Sequence, residues 1–144
     1  MANQGYFLED LEVGMEAFHE KTVEDADVLA FADLTGDRNP VHLDDGYAKK
    51  TVFRSRIAHG MLTASLLSTV LGMKLPGPGA IYVSQSIRFR APVRSGDKVR
   101  ASARITSVDR ERRRATLACA CSVGSEIVLD GEAVVMVPAR PTAG

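Results

Sequence analysis

The second half of the chain alternates apolar and polar residues with a period of two, which is the repeat of a strand that buries one face. Four stretches follow this pattern, at residues 81–89, 99–105, 117–123 and 127–137. Turn residues occur between them, at 95–97, 109–114 and 124–125. We therefore expect four antiparallel strands whose apolar side chains point inward, with Ile127 as the first such residue of the last strand.

The first half of the chain predicts one further strand and a helix. Residues 11–23 read as a strand. A helix follows to about Leu34, with Thr22 and Asp25 as a capping-box-like start and Gly36 as its end. A second, short helix is expected after Asp44, whose side chain suits the capping position.

Residues 60–73 carry no charged side chain and are apolar nearly all round. A helix of this kind is buried. Five strands and one buried helix predict an α+β fold in which an antiparallel sheet bends around the helix. Because the sequence shows no repeat, low-complexity tract or linker, we expect a single domain over residues 1–144 with its core at about 11–138.

Candidate chemistry is concentrated between the two longer helices. Residues 31–42 read FADLTGDRNPVH and place a carboxylate, an amide and an imidazole close together, at Asp37, Asn39 and His42. We expect Pro40 to keep this segment irregular, as a loop that carries an acid/base pair. Gly60 opens the buried helix, whose N-terminus offers free N–H groups and a positive dipole end. The combination indicates an enzyme that polarises a carbonyl group and moves a proton.

The composition narrows the range of partners and locations. Of 144 residues, 45% are hydrophobic and 25% are charged, and the formal net charge is zero, so neither nucleic acid nor a membrane is expected as the main partner. No apolar run reaches the roughly 18 residues that a membrane span needs, and no signal peptide is evident, so we expect a cytoplasmic protein. Cys119 and Cys121 point the same way along a strand and are expected to be small buried residues.

Three stretches resemble the MaoC-like family. Residues 31–48 follow the pattern FxxLTGDxNPVHxxxxxA, which resembles the hydratase 2 motif of that family. The stretches IAHGML at 57–62 and SQSIRFRAPV at 84–93 are also similar to the family. The family includes the (R)-specific enoyl-CoA hydratases and related 3-hydroxyacyl thioester dehydratases, and the resemblance runs from about residue 11 to 138.

The resemblance implies a hot-dog fold, in which an antiparallel sheet wraps around a long central helix. It also implies a homodimer whose two sheets pair edge to edge. By the same resemblance Asp37 and His42 are the catalytic acid/base pair, Asn39 orients them, and the backbone N–H of Gly60 forms the oxyanion hole. Ser68 lies where the family has a helix serine in the active-site region.

The expected reaction is the (R)-specific hydration of trans-2-enoyl-CoA to (R)-3-hydroxyacyl-CoA, which makes the protein a hydro-lyase. No cofactor is expected beyond the coenzyme A of the substrate. No metal is expected either, because the other two histidines are not spaced as ligands with His42. The alternatives are a 3-hydroxyacyl-ACP dehydratase of fatty-acid synthesis, a hot-dog acyl-CoA thioesterase, and a non-catalytic acyl-thioester-binding subunit. The intact pair of Asp37 and His42 argues against the last.

Further candidates for substrate contact are weaker. They are His59, Ser68, Arg88 and Arg90. The two arginines lie on one predicted strand and suit the phosphates of coenzyme A, whereas a hydroxyl in a buried helix, such as that of Ser68, can also bond back to the helix backbone. The basic residues between 110 and 114 form a predicted hairpin tip, which we expect to be solvated.

Overall fold

The computed structural model describes residues 5–142, so the outermost residues of the predicted 1–144 domain lie outside the described part. After a short 3-10 turn at Leu8–Asp10, the elements in chain order are β1 Glu16–Thr22, α1 Asp25–Thr35, α2 Pro40–Leu43, α3 Asp45–Lys49, α4 Gly60–Met73, β2 Ile81–Phe89, β3 Lys98–Asp109, β4 Arg114–Val123 and β5 Glu126–Met136. Within the described residues, none of these helices has the length and apolar character to cross a membrane.

The five strands form one antiparallel sheet in the order β1-β3-β4-β5-β2, so β1 and β2 are its edges. The uncharged helix α4 contacts β1, β2, β3 and β4. Leu67, Val70 and Leu71 on α4 are almost fully buried against this sheet. The predicted α+β fold, a five-stranded antiparallel sheet wrapped around a long central helix, is confirmed, and it is the hot-dog arrangement that the resemblance implied.

The central strands bury alternate residues as predicted. On β3 and β4 the inward residues are Val99, Ala101, Ala103, Ile105, Ala115, Leu117, Cys119 and Cys121. Both cysteines are free thiols. Burial raises the pKa of Cys119 to about 11 and that of Cys121 to about 12, so both thiols stay protonated. The interpretation of the two cysteines as small buried residues is therefore confirmed.

The prediction for the start of β5 was wrong by one residue. Ile127 is 46% exposed, whereas Val128 and Leu129 are both buried. The pairing of β4 with β5 shifts between Cys121 and Ser122, so that Val128 is an extra residue on β5. A bulge of this kind reverses the alternation of side chains, and a strict period of two cannot show it.

Most apolar residues of β2 are exposed in the single chain. Ile81 is 60% exposed, Val83 40% and Phe89 55%, whereas Ile87 packs against the core. The pairing of β2 with β5 shifts between Tyr82 and Ser84, so that Val83 is an extra residue and the predicted alternation is reversed at Ile81. β2 is also an edge strand, with β5 as its neighbour on one side. An apolar edge strand is a surface on which a second chain can pair.

The start of α1 also differs from the prediction. The helix begins after Glu24, whose backbone N–H donates to the carboxylate of Asp27 at 2.9 Å. The pair of Thr22 and Asp25 does not form the cap, because Thr22 still belongs to β1. At the other end Gly36 has a φ of 81°, in the left-handed region, and ends the helix as predicted.

The burial of α4 leads to a test with two leucine substitutions. Leu67→Ala removes a side chain that is 0% exposed, and we expect a loss of about 2–5 kcal/mol in the free energy of unfolding because a cavity is left behind. Leu34→Ala, at a residue that is 83% exposed, should change it by less than about 0.5 kcal/mol. Urea denaturation followed by circular dichroism measures both, and equal effects would contradict the buried position of α4.

Candidate active site

Asp37 lies on an exposed turn directly after α1. Its backbone N–H donates to Oγ1 of Thr35 at 3.1 Å, and its Oδ1 accepts the backbone N–H of Asn39 at 3.2 Å. These short-range contacts result from the stop at Gly36, because the left-handed residue turns the chain away from the helix axis. The carboxylate is thus oriented by its own turn while remaining accessible to solvent.

His42 lies on a helical turn, whereas the sequence predicted an irregular loop. Pro40 is the first residue of α2, and the side chain of Asn39 caps this helix by accepting the N–H of Val41 at 3.2 Å. Proline is tolerated at the first helical position, where its missing N–H has no acceptor to lose. Asn39 therefore holds the turn that carries His42, which is the kind of contact an orienting residue needs.

The ring of His42 is fixed in one tautomer by the connector before α4. It is 8% exposed, and its Nδ1 lies 2.7 Å from the carbonyl oxygen of Ile57. A carbonyl oxygen can only accept, so Nδ1 carries the proton and Nε2 of the neutral ring has a free lone pair. The N–H of Ile57 also donates to the carbonyl of Val41 at 3.2 Å, which docks the turn on the connector.

The connector itself is held by ion pairs. Arg56, the neighbour of Ile57, contacts Asp45 at 2.7 Å and Asp25 at 3.4 Å. A hydrogen bond from Ser95 and the charge of Arg56 together lower the pKa of Asp25. The carbonyl that orients His42 is thereby attached to both α1 and α3.

A second imidazole lies against the first. The rings of His42 and His59 are stacked, with 3.8 Å between their centroids and 28° between their planes. The other neighbour of His59 is the ring of Phe31, at 4.9 Å. His59 is 2% exposed, so the structure gives no support to the candidate role of this side chain in substrate contact.

Asp37, His42 and His59 place one ligating atom each within 4.8 Å of one another. The inference that neither remaining histidine could group with His42 was therefore wrong for His59. Stacked rings, however, do not direct two nitrogens at one tetrahedral ion, and this geometry favours an acid/base cluster over a metal centre. The sequence contained one signal for His59, its position directly before Gly60. The stacking of its ring on His42 could not be predicted, because the two residues are 17 positions apart in the chain.

Gly60 is the first residue of α4, and its surroundings explain the need for glycine in a way that the sequence did not. A Cβ at this position would lie 2.7 Å from Cε1 of Phe89, the last residue of β2. The direction in which a Cβ would point is therefore occupied by this aromatic ring. The N–H of Gly60 is among the first of α4, which have no acceptor within the helix.

The structure does not bring Ser68 into the cluster. This residue is exposed and lies eight positions after Gly60, about 12 Å further along α4. It lines a cavity of about 170 Å³ with Leu71, Gly72, Ala80, Tyr82 and Val135. The back-bond that we considered for a helix serine is made by Ser65, whose hydroxyl donates to the carbonyl of Leu62 at 2.5 Å.

The two candidate arginines lie at the C-terminal end of β2, away from the cavity beside Ser68. Arg90 lines a second cavity, of about 250 Å³, with Phe53, Ile57, Phe89, Ala91 and Pro92, and it pairs with Asp130 at 2.9 Å. Arg88 is exposed on β2, and Arg90 directly follows that strand. The predicted hairpin tip is exposed, as expected, although the guanidinium of Arg110 also donates to the carbonyls of Leu8 and Leu11 and so has a structural role.

Comparisons with known proteins give a consistent result. Residues 10–124 match the model of the MaoC like domain. The chain is 55% identical to a 3-hydroxybutyryl-CoA dehydratase of Methylorubrum extorquens, covering 95% of this chain and 87% of that protein. It is 49% identical to an (R)-specific enoyl-CoA hydratase of Rhodospirillum rubrum, covering 94% of each. A solved (R)-hydratase from A. caviae involved in PHA biosynthesis superposes with a TM-score of 0.87 at 44% identity, covering 90% of this chain and 99% of that one.

The contact between Gly60 and Phe89 can be tested with a double-mutant cycle. Gly60→Ala should lower the free energy of unfolding by about 1 kcal/mol, because the new Cβ displaces the Phe89 ring. In a Phe89→Ala background the same substitution meets no ring, so its cost should disappear. Urea unfolding of the four proteins measures the coupling. The same cost in both backgrounds would show that the ring is not the reason for glycine.

Proposed function

The chain belongs to the MaoC-like family, and we propose from that premise that it is an (R)-specific enoyl-CoA hydratase. It adds water to trans-2-enoyl-CoA to give (R)-3-hydroxyacyl-CoA and catalyses the reverse dehydration, as a hydro-lyase does. The observation that carries the proposal is the cluster in which the carboxylate of Asp37 lies beside the ring of His42, next to the N-terminus of α4.

Asp37 and His42 are suited to hold one water molecule between them. The carboxylate and the free Nε2 of His42 are both acceptors, so a water can donate one O–H to each and direct its own lone pair at the β-carbon. Asp37, as the principal base, takes a proton while the hydroxyl bonds to the β-carbon. The same proton then passes to the α-carbon on the same face, which gives syn addition. Each positioned acid/base group is worth about 10²–10⁴ in rate.

Gly60 supplies the complementary electrostatic element. Attack at the β-carbon moves negative charge to the thioester oxygen, and the N–H of Gly60 at the positive end of α4 is placed to stabilise it. Loss of such a donor typically costs about 10²–10³ in rate. Because the side chains of Asp37 and His42 supply both acid and base, we propose that the reaction needs no cofactor and no metal.

The parts of the substrate away from the double bond can be assigned to the two cavities. The acyl chain extends along α4 towards the cavity beside Ser68, because Gly60, Ser68 and Leu71 lie on one side of the helix. The coenzyme A part leaves past the cavity beside Arg90, where Arg88 is exposed and Arg90 would bind phosphate beside its ion pair with Asp130. Coenzyme A is preferred to an acyl carrier protein because both relatives described above are named for CoA substrates.

We also propose a homodimer, which the exposed edge strand supports. Ile81, Tyr82, Val83 and Phe89 of β2 expose 40–60% of their surface in the single chain. Pairing of β2 with the same strand of a second copy would cover these residues and join both sheets into one. The cytoplasmic location remains an expectation from the sequence.

Substitution of the acid/base pair tests the reaction directly. Asp37→Asn and His42→Ala should each lower the rate of crotonyl-CoA hydration by about 10²–10⁴-fold. The rate is measured as loss of the enoyl-thioester absorbance, and the product is checked for the (R) configuration. Asp33→Asn is the matched control, since Asp33 is an exposed carboxylate on α1 that pairs with Arg38. Near-wild-type turnover in either variant refutes the assigned roles.

The same assay separates the alternative activities. A thioesterase would release free coenzyme A thiol from crotonyl-CoA, whereas a hydratase leaves the thioester intact. An ACP dehydratase would prefer crotonyl-ACP to crotonyl-CoA. Thiol release that matches the loss of enoyl absorbance would replace the proposal with hydrolysis.

The oligomeric proposal is tested at the edge strand. The wild-type chain of 15.5 kDa should have twice that mass in light scattering. Val83→Lys places a charge on β2 and should weaken the dimer, whereas Val52→Lys, at a residue 89% exposed in the connector before α4, should not. A wild-type protein that is monomeric at micromolar concentration contradicts the proposal.

A further inference from the structure

We infer that His59 is a positioning residue, which holds Asp37, His42 and Gly60 in one rigid arrangement. The inference rests on the proposed function, since that function requires these three groups to act on one substrate at once. His59 is 2% exposed, and its ring contacts those of His42 and Phe31. It therefore acts through its neighbours, without touching the substrate.

The first contact of His59 is with the backbone of Asp37. Nε2 of the His59 ring lies 2.9 Å from the carbonyl oxygen of Asp37, and because a carbonyl can only accept, Nε2 carries the proton. The other contacts that orient Asp37 come from residues two positions away, Thr35 and Asn39. The bond to His59 spans 22 residues and ties this exposed turn to the start of the buried helix.

The second contact is with the ring of His42. The Nδ1 of that ring is held by the carbonyl of Ile57. The ring of His59, stacked at 3.8 Å, restrains the tilt of the His42 ring, and Phe31 contacts His59 in turn. The direction of the free Nε2 lone pair of His42 is thereby set.

The third connection is covalent. His59 directly precedes Gly60, and its own carbonyl accepts the N–H groups of Leu62 at 3.1 Å and Thr63 at 3.3 Å in the first turn of α4. A shift of His59 therefore moves the base, the imidazole and the oxyanion donor relative to each other. A misplacement of about 1 Å in such an arrangement costs about 10²-fold in rate.

Two substitutions separate the functions of the ring. His59→Phe keeps a flat ring for stacking but removes the N–H that Asp37 accepts. His59→Gln keeps an amide N–H near the position of Nε2 but removes the ring. For His59→Phe we expect kcat for crotonyl-CoA to fall by about 10²-fold with little change in KM, because the groups are misaligned while the substrate surface is intact. Because His59→Gln restores a donor to Asp37 but not the stacking on His42, it should recover part, but not all, of that loss.

His19→Phe is the matched control, because His19 lies on β1 and pairs with Ala101, away from the cluster. Thermal unfolding of all variants tests for general damage. The inference is overturned if His59→Phe keeps wild-type kcat, if His59→Gln is as impaired as His59→Phe, or if the losses of activity follow losses of thermal stability.

Crystal structures of the wild type and of His59→Phe without substrate give a readout that needs no turnover. The turn at Asp37 should be displaced from the His42 ring in the variant, and an unchanged turn overturns the inference. If the wild type hydrates no enoyl-CoA, the proposed function fails, while these two structures still decide whether His59 positions the turn.

Discussion

The arrangement of the site depends on the burial of α4. The helix has no charged side chain, so the sheet must cover it, and the contacts with four strands fix its axis and its N-terminus. His59 and Gly60 lie at that N-terminus, and the turns that carry Asp37 and His42 pack onto it. The hydrophobic effect thus supplies the rigid frame, while a few polar contacts select the geometry within it.

In those polar contacts, backbone carbonyls determine which nitrogen of each imidazole carries a proton. Ile57 accepts from Nδ1 of His42, and Asp37 accepts from Nε2 of His59. His42 therefore carries a proton on Nδ1, whereas His59 carries one on Nε2. His42 is left with a lone pair at Nε2, and the carboxylate of Asp37 is exposed.

Much of the fold was predictable from the sequence because its determinants are local and periodic. The period-two alternation of β3 and β4 and the uncharged run of α4 both reflect one-sided or complete burial. The features that were missed depend on tertiary context. A bulge at Val128 reverses an alternation, and Pro40 starts a helix once Asn39 caps it. The contact of His59 with His42 exists because two turns pack together, and no spacing along the chain encodes it.

The edge strand connects the site to the surface that is proposed to pair. Phe89 ends β2 and covers the Cα of Gly60, while Ile81 at the other end of the strand is exposed. Because a strand moves as a unit, whatever fixes the position of β2 also fixes the ring above the proposed oxyanion donor. A second copy paired along β2 would therefore stabilise the same ring that sets the space at Gly60. Pairing at this edge would leave the groups proposed for acid/base chemistry within one chain and would restrain the strand that covers Gly60.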